Sequence, residues 1–257
     1  AFTSASRSTS QALLDLSPNK TAITATSLTY NSDGTFSYGG SDYLTLPSST
    51  GSFGTTNFTI CCWWKSSTTP SNYTAIMEQG FTGSPTNGAW AFKVSHSSDN
   101  LNFTYYNNGI SDNLSGVGVC DGNWHYLVAV RAGTTLTLYK DTVSVLTITL
   151  PTNYSFGEGS SVFVGYNPRD GAYLKGTLPV LQTYNRELTV TEIQQNYNIA
   201  SQRYNLGSTV NPIVSKLVSN NTSQTITQIT NGEFDEVTYN LNSGVNTNFY
   251  YSSQNFL

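Results

Sequence analysis

Charge is scarce in this chain. Lysine, arginine, aspartate and glutamate together supply 10% of its 257 residues, and the net charge is −4. The eleven lysines and arginines are scattered and form no run. Phosphate contacts need clustered cations, so no nucleic-acid partner is expected. Histidine occurs only as His96 and His125, too few for a zinc site or a histidine-based triad. No Gly-x-Ser-x-Gly nucleophile elbow is found, nor a glycine-rich phosphate loop with its lysine. No run is long and apolar enough to span a bilayer, and the start, AFTSASRSTSQ, has neither a basic nor an apolar segment. A membrane partner is therefore not expected. Ala1 fits trimming of an initiator methionine, which implies no export signal; signal-peptide cleavage leaves a similar small first residue.

Cysteine is almost as rare. Cys61 and Cys62 are neighbours on an expected strand, so their side chains point to opposite faces. At most one can reach Cys120. The expectation is three buried thiols acting as small apolar residues, with a Cys120 disulfide as the alternative. No metal-site spacing exists among them. Asn-x-Ser/Thr triplets such as Asn57-Phe-Thr59, Asn72-Tyr-Thr74 and Asn102-Phe-Thr104 occur about as often as the composition dictates. They are no evidence of glycosylation.

What the chain does have is alternation. From Leu13 to Pro179, short period-2 runs recur between Gly, Asn, Ser and Pro turns, as in a β-sandwich. Strands are expected at 42–46, 58–65, 74–78, 90–95, 102–106, 124–131, 135–141, 143–150, 161–166 and 176–184. In Asp121-Gly-Asn-Trp-His-Tyr-Leu-Val-Ala-Val-Arg131, Asp121-Gly122 turns the chain. Trp124, Tyr126, Val128 and Val130 then share one face, and His125, Leu127, Ala129 and Arg131 the other. Leu136 and Leu138 share a face of the next strand. Trp63, Trp90 and Trp124 are expected core anchors, with Trp64 facing away from Trp63. A capping box, Thr189-x-x-Glu192, opens one helix, on which Ile193, Tyr197, Ala200 and Tyr204 share a face.

The Asp121–Asp141 hairpin resembles that of the laminin-G-like, or concanavalin-A-like, lectin and glucanase superfamily, with its Asp-Gly-x-Trp-His start. Asp15-Leu-Ser-Pro-Asn19 and the stretch Tyr30 to Leu46 are similar to the family's opening, with Pro18 for its usual glycine and Tyr38-Gly-Gly-Ser-Asp42 for its Asp-Gly turn. Phe58-Thr-Ile-Cys-Cys-Trp-Trp64, Gly165-Tyr-Asn167 and Gly176 to Leu188 match its first core strand and its closing strands. The resemblance spans about residues 13–206 and implies an all-β fold. That fold is a concanavalin-A-like jelly-roll β-sandwich with one short closing helix. Residues 1–12 would be an N-terminal arm. Residues 207–257, rich in Asn, Ser and Thr, would be a β-rich C-terminal assembly extension. Fifty residues cannot bury so much aromatic surface alone. Phe249, Tyr250, Tyr251, Phe256 and Leu257 are the expected assembly contacts.

A superfamily that includes glucanases calls for a search for catalytic acids at alternate strand positions. The one similar string, Glu233-Phe-Asp235-Glu236, has its third acid on the wrong face, so no catalytic residue is assigned and the chain is read as not an enzyme. Calcium, which many relatives bind, has Asp33, Asp42, Asp99, Asp112, Asp121, Asp141 and Asp170 as candidates. None forms an Asp-x-Asp pair, and turns favour aspartate in any case. No cofactor or metal site is assigned. For glycan contact, loop aromatics beside amides and carboxylates point to Phe81, Trp90, Tyr105, Tyr106, Asn108, Tyr166, Asn167 and Asp170. The abundance of Tyr and Asn gives such clusters by composition alone.

The string from Tyr184 to Tyr204 resembles the close of laminin-G-like domains in tailed-phage virion proteins. That resemblance implies a non-enzymatic virion structural protein, either a capsid decoration (cement) or a tail-associated protein with a lectin-like outer domain. Its partners would be itself, as a homo-oligomer such as a trimer, and other virion proteins such as a capsid shell, with surface glycans a further option. It would be made in the host cytoplasm and reside in the virion. The alternative is an extracellular glycan-binding adhesin or carbohydrate-binding module.

Overall fold

The computed structural model of the chain describes residues 13, 15, 17, 19–96, 98–157 and 159–203, with the backbone of four later strands. By contacts the chain divides into two units, Ala1–Tyr197 and Asn198–Leu257. The first is a sandwich of two antiparallel sheets. One sheet joins β1 (Thr24–Thr26), β4 (Tyr43–Leu46), β13 (Val162–Val164), β6 (Thr74–Gln79), β7 (Trp90–Val94), β8 (Asn100–Tyr106) and β9 (Ile110–Gly118), in that order. The other runs β12 (Val143–Thr149), β11 (Thr135–Lys140), β10 (Trp124–Ala132), β5 (Phe58–Lys65), β16 (Lys175–Thr177), β3 (Phe36–Gly39) and β2 (Thr29–Tyr30). β17 (Leu181–Tyr184) also pairs with β5. A small hairpin joins β14 (Tyr166–Asn167) to β15 (Ala172–Tyr173).

Side-chain parity builds the core between the sheets. Phe58, Ile60, Cys62 and Trp64 of β5 point inward with Leu127 and Ala129 of β10 and Leu136 and Leu138 of β11. Trp90, Phe92 and Val94 of β7, with Leu101, Phe103 and Tyr105 of β8, meet them from the opposite sheet. Each such large side chain, once buried, contributes about 1.5–3 kcal/mol. The other face of β5 is covered as well. Trp63 points outward, as its neighbour's parity requires, and packs against Tyr126 (centroids 5.3 Å) and Tyr197 (5.1 Å). Tyr197 comes from the helix α1 (Val190–Arg203), whose Ile193 is fully buried. The expected capping box forms: Glu192 N donates to Thr189 Oγ1 (3.2 Å), and Thr189 N donates to Glu192 Oε2 (2.8 Å). Both faces of β5 and β10 are thus dry, and Trp63 and Trp64 are both buried on opposite sides. Trp124 is only half-buried, with the Lys65 ammonium 5.8 Å from its ring.

Two expected strands break in the middle. The run 176–184 divides into β16 and β17 around Pro179, which has no N–H to give to β5. The run 161–166 divides at Gly165, whose φ of +82° turns the chain out of the sheet. β9 is unforeseen. It is an edge strand whose residues alternate between exposed and half-buried, so it carries no apolar alternation to read. Cys61, Cys62 and Cys120 are buried free thiols. Among the described residues no helix is long and apolar enough to cross a membrane.

In the second unit, β18 (Lys216–Ser219) pairs with β19 (Thr222–Thr225), and β20 (Val237–Asn240) with β21 (Asn246–Phe249). Phe249 ends β21; the other proposed assembly residues, the arm 1–12 and the acids 233–236 lie outside the described residues.

Candidate functional site

Three loops meet at one end of the sandwich: 81–89 before β7, 107–109 between β8 and β9, and 150–157 between β12 and β13. Gly157 N donates to Gly88 O at 2.9 Å, and Tyr154 Oη donates to Tyr106 O at 2.6 Å. Gly88 N donates to Tyr154 Oη at 3.2 Å. A Cβ on Gly88 would lie 2.9 Å from Gly157 O, so only bare backbone permits this approach. Asn87 and Asn108 bridge two of the loops: Asn108 N donates to Asn87 Oδ1 (2.7 Å), and Asn87 Nδ2 to Asn108 Oδ1 (3.1 Å). The result is an open cleft of about 270 Å3 lined by Asn87, Asn107, Thr152, Asn153, Tyr154 and Ser155, with Gly88, Pro151 and Gly157. Its chemistry is that of amides, hydroxyls and backbone.

A second constellation lies on the outer face of the β6–β9 sheet. Asp112 Oδ1 accepts hydrogen bonds from Lys93 Nζ (3.1 Å), Asn102 Nδ2 (2.9 Å) and Thr104 Oγ1 (2.5 Å). The Lys93 ammonium sits 4.0 Å from the centre of the Tyr73 ring. Burial opposes the Asp112 charge, yet Thr104, Lys93 and Asn102 outweigh it and hold the carboxyl below its usual range. Burial also lowers the Lys93 ammonium, against the pull of Asp112. The β14–β15 hairpin is tied in beside β6: Asn167 Nδ2 donates to Tyr73 O (3.0 Å) and Arg169 N to Phe81 O (3.0 Å). Buried Glu78 accepts from Phe81 N at 2.9 Å.

His125 makes a third. Its Nδ1 lies 2.7 Å from Asp141 Oδ2 and its Nε2 3.0 Å from Asp121 Oδ1. Both carboxylates only accept, so the imidazole donates to both when doubly protonated. The cluster ties the turn before β10 to the turn after β11, both at the same end of this antiparallel pair, and Asp141 Oδ1 also accepts from Tyr126 N (2.9 Å).

The proposed glycan contacts separate by burial. Trp90 and Tyr105 are cross-strand partners on the inward face, and the Trp90 indole N–H donates to Gly51 O (3.0 Å). Phe81 is buried against Ala89 and Ala91 beneath its own loop. Asn167 is buried and holds Tyr73 O and Asp170. None of these four offers a face to a ligand, because strand parity or loop packing consumes it. Tyr106 and Tyr166 are half-buried, and Asn108 and Asp170 are exposed. Of these last four, only Asn108 and Tyr106 adjoin the cleft, through Asn87 and Tyr154. Thr152, Asn153 and Ser155 escaped the sequence reading, since exposed polar loop residues carry no periodic signal.

The calcium candidates are also spoken for. Asp33 accepts from Thr35 N (3.0 Å), Asp42 from Gly39 N, and Asp99 from Cys120 N (3.1 Å). Asp112, Asp121, Asp141 and Asp170 hold the partners already described. Among the described residues no three His, Cys, Asp or Glu side chains gather as metal ligands.

A family model described as the concanavalin A-like lectin/glucanases superfamily (Laminin_G_3) matches residues 38–194. No curated protein matches the sequence. Solved structures share the fold. The binding domain of Paraclostridial Mosquitocidal Protein 1 superposes with a TM-score of 0.56 at 15% identity, over 72% of this chain and 49% of that one. Domain 4 of AbnA, an extracellular arabinanase from Geobacillus stearothermophilus solved with arabinotriose, gives 0.56 at 18%, over 68% and 87%. The botulinum neurotoxin serotype D ligand binding domain, solved with N-acetylneuraminic acid, gives 0.56 at 14%, over 73% and 48%. The chain spans about half the length of the toxin domains it matches. With the matched segment covering most strands of both sheets and the start of α1, the chain belongs to the concanavalin A-like lectin/glucanases superfamily.

Proposed function

We propose that this chain is a non-catalytic glycan-recognition module whose site is the cleft between the three loops. The observation that carries this reading is the cleft's lining of amides and hydroxyls at the rim of a rigid lectin-type sandwich. Arabinotriose bound to the AbnA domain, which shares the fold, supports it. The non-catalytic reading draws support from the acids themselves. Glu78 serves Phe81 N, and Asp112 serves Lys93, Asn102 and Thr104. A glycan array probed with the whole chain tests the reading. Binding that a bulky Thr152→Trp change abolishes is the expected result; no binding to any glycan would sink it.

A second reading sets the module in a virus particle, as a capsid decoration or tail-associated protein. Its support is the Tyr184–Tyr204 string, whose Arg186 clamps Glu192 through two hydrogen bonds (3.0 and 2.8 Å) at the start of α1. In that setting residues 208–257 hold copies together. Light scattering of the chain with Tyr250, Tyr251 and Phe256 changed to serine tests it. Loss of an oligomer with the sandwich intact is expected, and an unaltered oligomer refutes the tail's role.

A further inference from the structure

The chemistry of the cleft also constrains what can occupy it, and this step rests on the glycan-binding reading. None of the nine lining residues is Lys, Arg, Asp or Glu. Arg131, whose charge reaches Tyr154, is buried, with its guanidinium donating to Gly133 O (2.9 Å) and Gly54 O (3.0 Å). It is not free to meet a ligand. The Asn87 amide is occupied by Asn108. Asn107, Thr152, Asn153 and Ser155 are exposed, and their side chains have no hydrogen-bond partner within the described chain. An amide offers both a donor and an acceptor, as does a hydroxyl, and neighbouring sugar hydroxyls present the same pairing. A carboxylate seated there would give up water for neutral donors alone, with no cation to form the stronger charge-assisted bond.

Size adds a limit. Drug-sized ligands fill pockets of about 300–1,000 Å3. The cleft's volume of about 270 Å3 lies below that range and is open on one side, which suits one sugar ring with the rest of the glycan in solvent. The floor is fixed by the Gly88–Gly157 backbone contact, so widening it requires the loops to part.

We infer that the cleft takes a single uncharged sugar ring at the end or branch of a neutral glycan and selects against uronic and sialic acids. With so few groups engaged, the affinity per ring is on the order of 1 mM, so recognition depends on multivalent display.

The probes are matched pairs that differ only in oxidation of the C6 hydroxymethyl: galactose with galacturonic acid and glucose with glucuronic acid. Each is displayed multivalently and tested against the full chain in calcium-free buffer. At least tenfold more signal on the neutral member of a pair is the expected result. Asn107→Lys should supply the missing cation and raise the signal of the acidic member severalfold. Thr152→Trp should remove both signals, and Ser155→Ala, which adds no bulk, should weaken the neutral one. Equal or stronger binding of the acidic members by the unaltered chain overturns the inference and leaves the glycan reading standing. Neutral binding untouched by Thr152→Trp and Ser155→Ala overturns the assignment to this cleft. Absence of binding to any sugar overturns the glycan reading itself.

Discussion

Replacing His125 with glutamine removes the one group that joins Asp121 and Asp141. A charge-assisted hydrogen bond is worth about 1.5–3 kcal/mol. The bond to Asp121 is discounted to well under ~1 kcal/mol, because that carboxylate is 49% exposed and screened by water. The bond to Asp141 is more sheltered, and together they amount to about 2 kcal/mol when the imidazole is protonated. In a domain of this size that corresponds to about 4–8 °C in melting temperature. Burial is the largest single influence on His125 and opposes its charge, but hydrogen bonds to Asp141 and then Asp121 outweigh it, so its pKa is raised above 6.5. A raised pKa means the stabilisation is complete below the unfolded value of 6.5 and is lost as pH rises through the folded value. Asp121 acts at the opposite end. Its carboxyl is lowered to about 2, first by Asn123 N, so its contribution exists above 3.8 and fades as pH falls toward 2. Lys140, the other charge acting on His125, opposes its protonation. Urea unfolding of the parent and of His125→Gln from about pH 5.5 to about pH 9 isolates the effect. The stability difference should be largest at the acid end and shrink as pH rises. A difference that stays level or grows with pH refutes the protonated bridge.

Gly165→Ala should cost about 2–4 kcal/mol in the same assay, since its φ is +82° and the new Cβ would lie 2.4 Å from the buried Tyr38 ring. Asp112→Asn should cost about 3 kcal/mol, because it removes the carboxylate paired with the buried Lys93 ammonium and leaves it the Tyr73 ring and the Asp170 charge. Trp63→Ala should cost about 3–5 kcal/mol and loosen α1, seen as faster amide exchange at Ile193 and Tyr197. Burial pushes the Cys61 and Cys120 thiols up to about 12 and about 11, so a thiol reagent at pH 8 should label the chain only after unfolding.

How much was legible depends on whether a residue's role is written in its neighbours along the chain. The core strands were, because alternation in 58–65 and 124–132 survives even with both faces covered. Parity separated Trp63 from Trp64, and the Thr189–Glu192 box marked the start of α1. β9 was not legible, because an edge strand with no dry face needs no pattern. Among the predicted glycan contacts, the candidate site was legible at Asn108 and Tyr106; the third loop, 150–157, was not. Trp90, Tyr105, Phe81 and Asn167 looked like loop ligands by residue type, but cross-strand register and loop packing buried them.

The sequence by itself determined the all-β architecture and the opposed faces of Cys61–Trp64, since each follows from period-2 patterning or from local turn and cap chemistry; the family was legible only as a resemblance carried by the Asp121–Asp141 hairpin and the motifs around it. Tertiary structure alone decided which polar residues gather. Asn87, Asn107 and Asn153 reach one cleft because three distant loops close on a glycine floor, and Lys93 meets Asp112 and Tyr73 because three strand or loop segments align. Such meetings depend on sheet order and register between segments far apart in the chain, which no local periodicity encodes.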